Sequence, residues 1–212
     1  MKILVIGSNG RVGSTLVKRL AEKNHHVLAG SRKTHEGTSI ANVEQIHVDL
    51  LSDVDTLAKS MQDIAVVYFV SGSRGKNLLQ IDLHGAVKTM QAAEKIGIKR
   101  YIMLSSVFAL QPEHWSDPSL KNITDYNIAK HYADLYLTTQ TTLNYTILQP
   151  GPLTEETGSA KISVDVKKPA PNSISNVADT LIAILEDDTT IGKVVMMHDG
   201  DTPIAAALKK VQ

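Results

Sequence analysis

The chain has 212 residues, enough for one domain with a substantial core, and its 22 basic and 22 acidic residues cancel. That balance argues against nucleic acid or an anionic membrane as partner, and the absence of cysteine excludes a disulfide framework, thiol catalysis and cysteine-held zinc or iron–sulfur sites. No run reaches the about 18 apolar residues of a membrane span, and the apolar stretch after Met1-Lys2 is too brief for a signal-peptide core, so the expectation is an unprocessed cytoplasmic protein.

The first predicted element is a strand, Lys2–Ile6. It runs into Gly7-Ser8-Asn9-Gly10-Arg11-Val12-Gly13, with glycines three residues apart, and Val12, Leu16 and Leu20 then mark one face of a helix. Each glycine has a task. Gly7 suits a tight turn, Gly10 lets a pyrophosphate reach the backbone, and Gly13 lets the helix close on the strand. The free N–H groups of the helix start present positive potential to phosphates. Strand before and helix after supply the context that a dinucleotide-binding turn requires, so Gly7, Ser8, Asn9, Gly10, Arg11 and Val12 are candidate cofactor contacts.

The second strand, His26–Ala29, ends in Gly30-Ser31-Arg32-Lys33. A ribose without a 2′-phosphate calls for Asp or Glu there, whereas Arg32 and Lys33 suit a 2′-phosphate, which favours NADP(H) over NAD(H). After the third strand, Gln45–Val48, stand Asp49 and Leu50; Asp49 can accept from an adenine amino group or cap a turn. The fourth strand, Ala65–Val70, ends in Ser71-Gly72, small enough for a cofactor to lie against backbone, and Arg74 and Lys76 beyond it read as solvated loop cations.

Leu78, Ile81, Leu83, Val87, Met90 and Ala93 predict one long helix ending at Gly97, whose apolar face can meet the sheet or a second subunit, leaving monomer and homodimer both open. The fifth strand, Arg100–Leu104, leads to Ser105-Ser106. Further helices are expected from about Asp125 to Thr139 and from Ser175, as N-cap, to Leu185, and further strands at Asn144–Leu148 and Lys193–Met197. Strands that are mostly apolar throughout, alternating with helices, predict a doubly wound parallel α/β sheet covered on both faces, one Rossmann domain over residues 1–212. Two irregular stretches, at about residues 107–124 and 151–173, are expected to be substrate-side loops. Trp115 can lid a pocket or plug its own loop, and the histidines show no metal-ligand spacing, so no metal is expected.

Tyr126 and Lys130 stand four apart on a predicted helix, so the ammonium can lie near the phenol and favour its phenolate, while a serine of the Ser105-Ser106 pair holds a substrate oxygen. Six tyrosines and 17 lysines produce about 0.5 such Tyr/Lys spacings by chance in a chain of this length, so position decides. This spacing occurs once, on the helix after the strand that ends in Ser105-Ser106, at the sheet end where ligands bind.

Gly7/Gly10/Gly13, Arg32, Asp49, Ser105-Ser106 and Tyr126/Lys130, in that order, resemble the short-chain dehydrogenase/reductase superfamily. The chain is most similar to its atypical single-domain NAD(P)H-binding members, related to NmrA-like, flavin-reductase-like and epimerase-like proteins. The resemblance spans essentially the whole chain, including Leu148-Gln149-Pro150-Gly151, similar to the family's strand-end proline beside the nicotinamide. It implies an oxidoreductase acting on a small carbonyl or alcohol. Ser106 positions the substrate, Tyr126 is the acid/base, and Lys130 is both a modulator of Tyr126 and a ribose ligand. Val70, Ser71, Gly72 and Ser105 join the implied cofactor contacts. The tail of about 60 residues after Pro150 is short for a nucleotide-sugar lobe, and some relatives only bind the cofactor as redox sensors. Epimerase chemistry and non-catalytic sensing therefore stand as alternatives.

Overall fold

A computed structural model describes residues 1–33 and 40–211. Seven parallel strands form the body of the sheet: β1 (Lys2–Ile6), β2 (His26–Ser31), β3 (Val43–His47), β4 (Val66–Phe69), β5 (Arg100–Leu104), β6 (Asn144–Pro150) and β10 (Lys193–Asp199). Their spatial order is β3-β2-β1-β4-β5-β6-β10, and β8 (Lys161–Val164) and β11 (Thr202–Pro203) extend the sheet antiparallel beyond β10. The short β7 (Leu153–Thr154) and β9 (Asn172–Ser173) pair separately. The order reverses between β1 and β4, and in doubly wound sheets ligands sit outside the carboxyl ends of the strands at such a point.

Alternation along β1 shows why both faces are apolar. Ile3 and Val5 pack under α1 (Arg11–Glu22), α5 (Ile174–Glu186) and α6 (Ile204–Leu208), while Leu4 and Ile6 pack under α2 (Val54–Lys59), α3 (His84–Lys95) and α4 (Thr124–Gln140). Each such fully buried Leu or Ile contributes roughly 1.5–3 kcal/mol of transfer free energy. Tyr68 crosses between layers and donates its hydroxyl to Leu181 O at 3.0 Å.

Two expectations are corrected. The segment 78–93 is not one helix: Leu78–Leu83 form a wide π turn before α3 begins at His84. The extra residue rotates the buried face, so that Asp82 rather than Leu83 points inward, where its carboxylate accepts from Ser73 N at 3.0 Å. The N-cap of α5 is Ser173, not Ser175: pairing of β9 with β7 keeps Ser173 extended, and its hydroxyl accepts from Asn176 N at 3.1 Å. The hydroxyl of Ser175 accepts from Arg19 instead, at 2.6 Å. Among the described residues, no helix is long and apolar enough to cross a membrane.

Candidate functional site

At the turn from β1 to α1, Gly7 takes φ +95°, and a Cβ there would lie 2.6 Å from Ser71 Cα. Bare backbone of the two strand ends therefore meets at this point. The amides of Gly7 and Ser8 both donate to Gly30 O, at 3.0 and 3.2 Å, which ties the turn to β2. Within α1 the amide of Ser14 reaches Gly10 O at 2.9 Å, so the amides of Arg11 and Val12 ahead of it have no intrahelical carbonyl. They are the donors that a phosphate at this helix start requires.

Two clefts open at the carboxyl end of the sheet. One, of about 460 Å³, lies between the glycine turn, the ends of β2 and β3 and the loop after β4, where Arg32, Lys33, Arg74 and Lys76 line it. No described carboxylate lines it. The other, of about 440 Å³, lies between the start of α1, the ends of β5 and β6 and the start of α4. It is lined by Ser105, Ser106, Tyr126, Lys130 and Pro150, with Arg11 and Val12 at its edge. Gly10, Val70, Ser71, Gly72 and Arg74 line both, so the clefts adjoin along the turn and the end of β4. Both irregular stretches reach the second cleft, through Val107, Ser119, Leu120 and Ile123 on one side and Gly151, Pro152 and Leu153 on the other.

The structure departs from the expected contact set at four places. Ser8 does not line either cleft; it is buried and its hydroxyl donates to Gly30 O at 3.2 Å. Asn9 lines the first cleft, but its amide donates to Ser31 Oγ and Lys33 O, both at 2.9 Å, and so shapes the end of β2. Asp49 is absent from the lining, whereas Leu50 and Val48 are part of it. Its carboxylate accepts from Leu51 N at 3.0 Å in a local turn, the alternative open to an aspartate followed by a tight bend. Arg74 and Lys76 are exposed loop cations, as expected, but they also border the cleft.

In the second cleft, Lys130 is 3% exposed and donates to Leu104 O at 3.2 Å, with its Nζ 5.8 Å from the centre of the Tyr126 ring. Tyr126 is the third residue of α4 and half-buried. Among the described residues no hydrogen bond ties down the Tyr126 or Ser106 hydroxyl. The two serines differ: Ser105 Oγ is buried and unpartnered, whereas Ser106 Oγ is not among the enclosed atoms. Trp115 plugs its loop, donating to Phe108 O at 3.0 Å, and His131 Nδ1 bonds Ala109 O at 2.9 Å from the adjoining face of α4. Arg11 pairs with Glu155 at 3.3 Å, an exposed contact of little energetic weight.

Beneath this cleft lies Asp134, a polar residue of α4 that carries no motif in the sequence. It is wholly buried, and burial pushes its carboxyl up to about 6, against the opposing pull of Ser105, Gln149 and Lys130. A folded-state value above the unfolded one means that folding disfavours the anion. Below about pH 4 both states hold the proton and no penalty exists; as pH rises from about 4 to 6 the penalty develops, reaching roughly 3 kcal/mol. Asp134→Asn is therefore expected to raise the unfolding temperature at pH 8 and leave it nearly unchanged at pH 4. A gain of equal size at both values, in thermal melts, would show that ionisation is not its source.

Residues 7–188 match a family profile described as NAD(P)H-binding. The chain is 36% identical to a Bacillus subtilis protein named as an uncharacterised sugar epimerase, YhfK, over 100% of each. It is also similar to the crystal structure of the oxidoreductase ylbE from Lactococcus lactis, with a TM-score of 0.96 and 46% identity, covering 99% of this chain and 95% of that one. The chain belongs to the NAD(P)H-binding family and has its Rossmann fold.

Proposed function

We propose that the protein is an NADP(H)-dependent oxidoreductase acting on a small carbonyl or alcohol, with Tyr126 as the acid/base. One observation carries this reading: a cleft rimmed by Arg32, Lys33, Arg74 and Lys76 adjoins, along Gly10 and Val70–Gly72, a cleft holding Ser106, Tyr126 and Lys130. A turn without a side chain at Gly10, followed by unpaired helix amides, fits a diphosphate between them. When bound, the nicotinamide supplies or accepts hydride at the substrate carbon.

The chain's own residues do the rest. Arg32, with Lys33 beside it, holds the 2′-phosphate through charge-assisted hydrogen bonds, and Arg74 and Lys76 add positive potential from the opposite wall. Ser106 donates to the substrate oxygen, and Tyr126 delivers or removes its proton. Lys130, fixed on Leu104 O, keeps positive charge beside the Tyr126 ring. Val107, Leu120, Ile123, Pro152 and Leu153 give the substrate side an apolar wall within a cleft of about 440 Å³.

Calorimetric titration tests the cofactor assignment. NADPH is expected to bind roughly 10- to 100-fold more tightly than NADH, the worth of one hydrogen-bonded charge pair, and Arg32→Ala to remove most of that difference. Equal affinities in the unaltered protein refute the preference. A subsequent screen of aldehydes, ketones and quinones distinguishes the remaining readings. Oxidation of NADPH supports reductase chemistry, isomerisation without net cofactor consumption indicates an epimerase, and tight binding with neither indicates a sensor.

A further inference from the structure

Helix α4 carries Tyr126, Lys130 and Asp134 at four-residue intervals, so the three share one stripe running from the cleft into the core. Tyr126 and Lys130 already have tasks; Asp134 has none. It is 0% exposed. Its Oδ2 accepts from Gln149 Nε2 on β6 at 2.8 Å, one residue before the cleft-lining Pro150. Its Oδ1 has no hydrogen-bond partner among the described residues, and neither does the buried hydroxyl of Ser105, which stands beside the carboxyl from β5 without a well-aligned bond to it. One orphan is a donor and the other an acceptor. Lys130, one turn away on the same helix, is the charge acting on this carboxyl, yet it donates to Leu104 O and makes no contact ion pair with Asp134.

Stability does not account for such a group. A carboxylate buried with a single donor is costly, and here one hydrogen bond, from Gln149, is all that offsets it. Local rules are broken in this way where a site demands it. Resting on the oxidoreductase reading above, we propose that Asp134 is a positioning residue for the Ser106/Tyr126/Lys130 set. From below, it draws the Ser105 hydroxyl inward as its hydrogen-bond donor and holds the Lys130 ammonium at its place beside the Tyr126 ring. Ser106 is then the serine that presents a hydroxyl to the substrate. Gln149 anchors the carboxyl to β6, so the helix bearing Tyr126 and the strand leading to Pro150 keep a fixed relation across the cleft.

The test combines Asp134→Leu, Asp134→Asn, Ser105→Ala and the Ser105→Ala/Asp134→Leu pair, with thermal unfolding, NADPH affinity and steady-state kinetics on the best carbonyl substrate. Asp134→Leu is expected to keep its NADPH Kd within about twofold and to lose roughly tenfold or more in kcat with little change in KM, as loss of positioning without loss of binding dictates. Asp134→Asn, which preserves shape and one acceptor, lies between and serves if the leucine variant does not fold. Asp134→Asn sheds the buried charge and keeps an acceptor for Gln149, so a higher unfolding temperature at pH 8 together with a lower kcat excludes a merely structural role. Ser105→Ala is expected to lower the unfolding temperature of the unaltered protein and to raise it in the Asp134→Leu background. Unchanged kcat in both Asp134 variants overturns the proposal. So does an effect of Ser105→Ala that is the same in both backgrounds, and that measurement needs neither substrate nor cofactor. Failure of the oxidoreductase reading shows separately, as an unaltered protein that fails to oxidise NADPH with every carbonyl compound in the screen.

Discussion

Tyr126→Phe is expected to lower turnover by roughly 10²- to 10⁴-fold, the range of a positioned acid/base, while the Kd for NADPH stays within about twofold and the unfolding temperature hardly moves. Each part of that outcome has its own cause. The phenol oxygen makes no hydrogen bond within the described protein, so its removal leaves nothing unsatisfied. The ring remains beside Lys130 Nζ, and Lys130 keeps its bond to Leu104 O, so the local packing survives. The first cleft does not include Tyr126, and the glycine turn and Arg32 grip the cofactor without it. What is lost is the proton delivered to the substrate oxygen. A KM that rises while kcat holds would place Tyr126 in substrate binding instead, and an unchanged kcat/KM would remove it from the chemistry. Phenylalanine is the right replacement, since alanine would also open the cleft wall.

The features legible before the structure were those carried by local spacing. Glycines at 7, 10 and 13 behind an apolar strand, and Tyr126 and Lys130 four apart on a helix, keep their geometry wherever the elements pack. Features that depend on how distant segments meet were not legible. Arg74 follows the end of β4 in a stretch with no period, and nothing nearby in sequence says that this exposed loop borders both clefts. Asp49 could serve an adenine or its own turn, and the choice lay in the direction of the backbone after β3, which brings Leu51 N to the carboxylate. Ser173 and Ser175 are both capping residues by type; the pairing of β9 with β7 selects the first. Asp134 reads as one more polar residue on a helix until β5 and β6 bring Ser105 and Gln149 to it. The π turn at Leu78–Leu83 shows the same limit for a fold element, because apolar spacing alone cannot register one inserted residue.

Gly13→Ala and Gly10→Ala are expected to damage the protein in opposite ways, although both replace one glycine of the same turn by the smallest side chain. A Cβ on Gly13 would lie 2.1 Å from Gly7 O, 2.9 Å from Gly7 C and 3.0 Å from Ser8 Cα. All three are backbone atoms of the turn, which hydrogen bonds to Gly30 O hold on β2, so the start of α1 must withdraw. That shift strains Val12, Leu16 and Leu20 in the core beneath, a loss of roughly 3 kcal/mol or more, which lowers the unfolding temperature by about 10 °C in a chain of this size. The helix amides move with it, and NADPH affinity falls as well. Gly10 has φ −74° and ψ 166°, which alanine adopts freely, and its Cβ would meet a single atom, Gly7 O at 3.1 Å. The fold should absorb it with a change of at most about 1 kcal/mol. Gly10 nevertheless lines both clefts at the helix start, where a methyl group keeps a diphosphate from the backbone, so its NADPH Kd should rise by roughly tenfold or more at nearly unchanged stability. Melting curves and cofactor titrations on the two variants separate these effects. Gly10→Ala protein that binds NADPH normally would mean that the diphosphate does not approach this turn, and the cofactor would then have to lie elsewhere on the sheet edge.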